Sequence, residues 1–211
     1  GLEVNGEAVV ELFKTVRSYP GVNAVGMSHF ALSSIASAPE AVEEISNILG
    51  AGKDSGWISG QTGLETGSPR LIEANMKGKC KPFEPEDWPQ VVVDAFEVMS
   101  RNCWVPCATL IIGLPGETDG DVDLTINLLE ELKSFKSLIV PLFLVSMGGL
   151  KDKTESFAVE KMTPKQSELF LKCWEHNIEW GQNLLQEYFL TKSGVKGYGL
   201  RFLFSYGVKQ A

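Results

Sequence analysis

Nine residues, Trp104-Val-Pro-Cys-Ala-Thr-Leu-Ile-Ile112, constrain the fold of this chain more than any other segment. Their apolar end is nearly continuous, as expected of a strand buried on both faces. Gly113-Leu-Pro-Gly116 follows at once and turns the chain sharply. Thr118 and Asp121 then form a helix-start pair, with Val122, Ile126, Leu129 and Leu132 as an apolar stripe. Strand, glycine turn and amphipathic helix in that order make one unit of a helix-covered parallel sheet.

The same grammar recurs on both sides. Val9, Leu12, Phe13 and Val16 predict a helix over Glu7–Arg17, stopped by Pro20-Gly21. Val22–Leu32 reads as a strand feeding a loop, and Ser37 with Glu40 as a capping box for a helix ending at Gly50. Trp57–Thr62 reads as a second strand; a turn Gly63-Leu-Glu-Thr-Gly-Ser68 follows, with Ser68-Pro69 opening a helix as N-cap and first residue. A helix spans about Glu86–Arg101, and Leu138–Val145 is the last strand. Gly148-Gly149 marks a boundary; Thr163-Pro164 and Gln166 start a long helix reaching about Leu190, before an alternating tail over Gly194–Ala211. Four parallel strands near 22–30, 56–62, 104–112 and 138–145 are expected, in an open doubly wound sheet or a partial barrel. In either, ligands sit where strands end.

Composition narrows the function. In 211 residues, 44% are hydrophobic and 22% charged, the balance of an ordinary globular chain. The apolar run Leu138–Met147 is too short to span a bilayer, and no secretory signal opens the chain. The expectation is a cytoplasmic protein without membrane contact. A net charge of −8 argues against nucleic-acid binding by bulk electrostatics. Cys80, Cys103, Cys107 and Cys173 are too scattered for a disulfide framework. Cys103 and Cys107 lack further nearby ligands, so they read as ordinary thiols and no metal site is expected in this chain.

Two glycine turns are the candidates for chemistry. Glu65 stands at a strand tip before a helix start, whose free N–H groups suit a carboxylate or phosphate. Gly63 and Gly67 are expected to clear space for a ligand, and Glu65 to accept from hydroxyls or an ammonium. The alternative is a plain turn with Ser68 as cap and Glu65 in solvent. Gly113–Thr118 lacks the Walker lysine and is no dinucleotide fingerprint; Glu117 reads as a solvated helix-start residue. Arg70, Lys77, Lys79 and Lys81 form a basic run that reads first as a solvated surface; the alternative is that it helps hold an anion beside the glycine turn. His29 is near a strand end, and His176 has no evident partner.

Taken together, Gly63-Leu-Glu-Thr-Gly-Ser68, Lys77-Gly78 and Leu110-Ile-Ile-Gly-Leu-Pro-Gly-Glu-Thr-Asp119 closely resemble the later part of radical S-adenosylmethionine enzymes, nearest to the group with a cobalamin-binding domain upstream. The likeness covers roughly residues 20–150. It implies a fragment of a six-stranded partial (β/α) barrel, with about four parallel strands over 1–150 and a helical segment over 151–211. It implies cofactor contacts from Gly63, Glu65, Thr66, Ser68 and Arg70, with Glu65 and Ser68 toward the ribose and methionyl moiety. Ile111, Ile112, Gly113, Pro115 and Gly116 fall by the adenine. The family's Cys-x-x-x-Cys-x-x-Cys loop for the [4Fe–4S] cluster is absent from these residues. The expectation is therefore a carboxy-terminal piece that is inactive alone, whose parent uses S-adenosylmethionine, a [4Fe–4S] cluster and, in an upstream domain, cobalamin. Its partners would be the missing amino-terminal barrel portion or a second copy at an exposed sheet edge. A stand-alone α/β binding or scaffold module is the alternative, and a barrel binding a phosphorylated small molecule a third.

Overall fold

Burial alternates along Trp104–Ile112 and so defines two unlike faces. In the computed structural model, which describes residues 4–52, 56–147 and 155–193 and side chains as far as Glu187, Trp104, Pro106, Ala108, Leu110 and Ile112 are buried against helices. Cys107, Thr109 and Ile111, on the other face, are only half-covered. The apolar run suggested burial on both sides; one side is open instead, because the helices gather on the other. This strand, β2, pairs in parallel with β1 (Ile58–Glu65) and β3 (Leu138–Phe143), in the order β1-β2-β3. On the open face the register aligns Gln61, Cys107 and Leu138 in one row, and Gly63, Thr109 and Val140 in the next.

Seven helices flank this sheet among the described residues: α1 (Gly6–Ser18), α2 (Leu32–Ser37), α3 (Pro39–Leu49), α4 (Pro69–Met76), α5 (Trp88–Arg101), α6 (Asp119–Leu132) and α7 (Pro164–Ser193). The architecture is α/β with an open parallel sheet. Ser68 caps α4 and Pro69 begins it; Thr118 and Asp121 close a capping box on α6; Gly50 ends α3 in the left-handed region. Thr163 and Gln166 exchange the same reciprocal bonds at the start of α7. The core fills the space between helices and sheet, with Trp88, Phe96, Met99, Leu110, Ile112 and Leu132 fully buried.

Three strands form among the described residues, not four. The segment expected as a strand near 22–30 makes a single bridge, His29 to Gln61, held by Gln61 N–H to Ser28 O and Phe30 N–H to Gln61 O. A strand there would pair with the outer edge of β1, but only Ser28–Phe30 comes within bonding distance of it; Val25 and Met27 pack against the core instead, and Asn23, Ala24 and Gly26 are exposed. The Ser37–Glu40 box does not form either. Ser37 belongs to α2 and its hydroxyl turns back to Ser34 O, so Ala38 stands at the start of α3 without a side-chain cap. Gly148-Gly149 and the tail Gly194–Ala211 lie outside the described residues.

The outer edge of β3 is closed. Asn177 of α7 accepts from Ile139 N–H and donates to Ile139 O, both at 2.7 Å. Two residues on, Pro141 has no N–H to offer.

Candidate functional site

β1 does not stop before the glycine turn; it runs through Glu65, with the register slipping between Gly63 and Glu65. Glu65 takes φ 64°, a left-handed conformation costly for a residue with a side chain, and Thr66 N–H closes a tight turn onto Leu64 O at 2.9 Å. Such strain persists only where neighbours enforce it. Here the buried Trp88 indole N–H donates to both Leu64 O and Thr66 O, at 3.1 and 3.0 Å. Thr66 Oγ1 meets Thr125 Oγ1 and accepts from Ser68 N–H. The turn swings the Glu65 carboxylate back over Gly63, on the open face, where Lys79 Nζ donates to it at 2.8 Å. The pair is partly accessible, with side chains 16% and 25% exposed.

Both glycines of the turn have a structural reason. A Cβ on Gly63 would overlap the Glu65 carboxylate and crowd Lys79 Nζ. A Cβ on Gly67 would lie 2.6 Å from Leu124 O and 2.7 Å from Thr125 Cα, so Gly67 admits the backbone of α6. The space was expected to serve a ligand; it serves an ion pair and a helix contact.

The start of α4 is filled from within. Ser68 Oγ, fully buried, donates to Asp121 Oδ1 at 2.6 Å, and Arg70 reaches both Asp121 oxygens. Thr118 donates to Oδ2 through N–H and hydroxyl, and Arg70 also donates to Gly116 O. Burial opposes ionisation of Asp121, yet these bonds from Arg70, Ser68 and Thr118 outweigh it and hold the carboxyl well below the usual carboxylate range. An external anion approaching α4 therefore meets a resident carboxylate. The basic run does not gather at one point: Arg70, Lys79 and Lys81 pair separately with Asp121, Glu65 and Glu84.

Glu117 is a second correction. Its carboxylate folds back onto Gly113 N–H and Leu114 N–H and accepts from Gln166 Nε2 at 2.7 Å. Burial raises its carboxyl above the usual value, against the pull of Gln166 and the two backbone N–H groups. Glu117 is thus the internal tie of the second turn rather than a solvated residue. Above it, the Phe157 ring lies on Gly113, whose φ of 87° and missing Cβ permit that approach, and stacks on Phe143 at 5.2 Å. Of the positions implied for the cofactor, Gly63, Glu65 and Ile111 border the open face. Thr66, Ser68 and Ile112 are buried, and Arg70 and Gly116 belong to the Asp121 network. Pro115 is half-buried, its carbonyl accepting from Asn75 Nδ2.

His29 is exposed beside Ser28, at the middle of β1 rather than its end. His176 has a partner after all, Ser137 Oγ at 2.8 Å in the α7–β3 seam. Lys79, Trp88 and Phe157 matter to the site and were not singled out as such from sequence; only the basic run hinted at Lys79. Among the described residues, no three His, Cys, Asp or Glu side chains are grouped to hold a metal ion, and no helix is long and apolar enough to cross a membrane. No protein-family model matches the chain, and neither does any curated protein.

Proposed function

We propose that the chain is the carboxy-terminal portion of a radical S-adenosylmethionine barrel and contributes to holding that cofactor at the carboxyl ends of its strands. The observation that carries the reading is a parallel sheet with helices on one face, at whose carboxyl end a strained turn presents Glu65 over Gly63. A sheet covered on one side is what a barrel wall requires, whereas a doubly wound sheet is covered on both. The fit to the cofactor is partial. Glu65 has Oε1 engaged by Lys79 and Oε2 left to accept from ribose hydroxyls or an α-ammonium; Ile111 supplies apolar contact. Ser68 and Thr66 hold the first turn in shape, and Ile112 is buried in the core beneath the second.

In that family the bound cofactor, reduced at a [4Fe–4S] cluster, supplies a 5′-deoxyadenosyl radical. The cluster loop, the missing strands and any cobalamin domain then belong to the upstream partner portion, and this chain alone is inactive. The coding region preceding Gly1 tests the family: a Cys-x-x-x-Cys-x-x-Cys motif supports it and its absence overturns it. Glu65→Gln in the cluster-loaded parent tests the site. Loss of a charged hydrogen bond, worth about 1.5–3 kcal/mol, weakens S-adenosylmethionine binding about tenfold to a hundredfold. An unchanged titration overturns the role of Glu65.

A non-catalytic α/β binding or scaffold module is the second reading. It is favoured by the chain's own groups standing where ligand was expected, Asp121 at α4 and Phe157 on Gly113.

A further inference from the structure

The long helix α7 has two apolar sides. One carries Leu169, Cys173 and His176 into the protein. The other carries Leu171, Trp174, Ile178 and Leu185, which remain 60, 51, 52 and 42% exposed. Their spacing of three, four and seven residues keeps them on a single stripe, the a and d positions of a heptad seam. The intervening d position is Gly181, where a Cβ would meet nothing within 4 Å.

The stripe is symmetric about Ile178: Leu171 stands seven residues before it and Leu185 seven after. We propose that it is the interface with a second copy of this chain, formed by two α7 helices packed antiparallel on a two-fold axis through Ile178. In that register Ile178 meets Ile178 and each Leu171 meets the other copy's Leu185. Each Trp174 falls beside Gly181 and Gln182 of the other helix, so the bulkiest side chain meets the residue with none. Glu175 faces the neutral Gln182 at the flank, and antiparallel helices set opposite dipole ends together. A parallel arrangement would instead oppose Trp174 to Trp174 and leave the glycine gap unfilled.

The seam from Leu171 to Leu185 is about 21 Å long. Four half-exposed side chains per copy place it below about 1,200 Å² of total buried surface, the class of weak, reversible complexes. Half-association on the order of 100 μM chain is expected.

Sedimentation equilibrium of the chain should show a monomer–dimer equilibrium that Ile178→Glu shifts at least tenfold toward monomer, with unchanged circular dichroism. Orientation is read by crosslinking in a background with Cys103 and Cys107 replaced by Ser. A mixture of Leu171→Cys and Leu185→Cys chains should oxidise to the mixed dimer in preference to either homodimer. A monomer up to about 1 mM, an Ile178→Glu variant that dimerises as before, or preferential homodimer crosslinks would each overturn the proposal. None of these results bears on the cofactor reading.

Discussion

Glu65 and Glu117 occupy turns that look alike in sequence and have nearly opposite positions in the structure. Glu65 points over the open face, and Glu117 is tied inward by Gly113, Leu114 and Gln166. Glu117→Ala leaves those donors without their acceptor, and a loss of about 2 kcal/mol in urea unfolding is expected; a change within error would mean the turn closes without it. The sequence set Glu65 apart as a ligand-side acceptor but read Glu117 as solvated, because Gln166, the partner that ties it inward, lies 49 residues away. His176 offers a residue-scale test with a sign. Burial lowers its pKa, opposed by Ser137 and Glu179, while Glu175 and Lys172 of α7, Glu130 of α6 and Lys133 just after α6 line the adjoining notch. A lowered folded pKa means the unfolded chain binds the proton more readily. Stability should thus hold above about pH 6.5 and fall as pH drops from there toward the folded value. His176→Gln should flatten that part of the curve. An identical slope in the variant would assign the effect elsewhere.

At the scale of elements, most boundaries set by local chemistry were legible, the Ser37–Glu40 box being the exception, and those set by distant partners were not. Ser68, Thr118, Thr163 and Gly50 mark helix ends because the capping atoms lie within three or four residues of the groups they satisfy. The strand expected near 22–30 reduces to one bridge, His29 to Gln61, because a run of apolar residues does not say whether a neighbouring backbone lies within ladder distance. The open face of β2 was equally hidden, since an apolar run does not say how many of its sides will be covered. The seat of α7 on β3 is a contact no local pattern announces. Asn177→Ala removes both bonds to Ile139, with an expected cost of about 2 kcal/mol. The Ile139 amide should then exchange at least tenfold faster with solvent deuterium, whereas unaltered protection would show that apolar packing alone holds the helix in place.

For the whole molecule, the four thiols test which face of the sheet is open. Cys80 and Cys173 are fully buried, Cys103 is exposed and Cys107 sits half-covered on the open face. Burial also pushes the Cys173 thiol up to about 12, which suppresses its reactive thiolate. A disulfide reagent should therefore modify two thiols in the native chain, Cys103 first and Cys107 more slowly, and four after unfolding. Protection of Cys107 would mean that something covers that face. The two borders of the sheet differ as sharply as its faces. Among the described residues, Asn177 and Pro141 block strand addition to β3, while β1 meets its outer neighbour only around Gln61. Chains that join by strand addition can therefore meet border to border once, and then have no templating border left. Growth of this sheet terminates at a pair, which excludes it as the repeating step of a fibre.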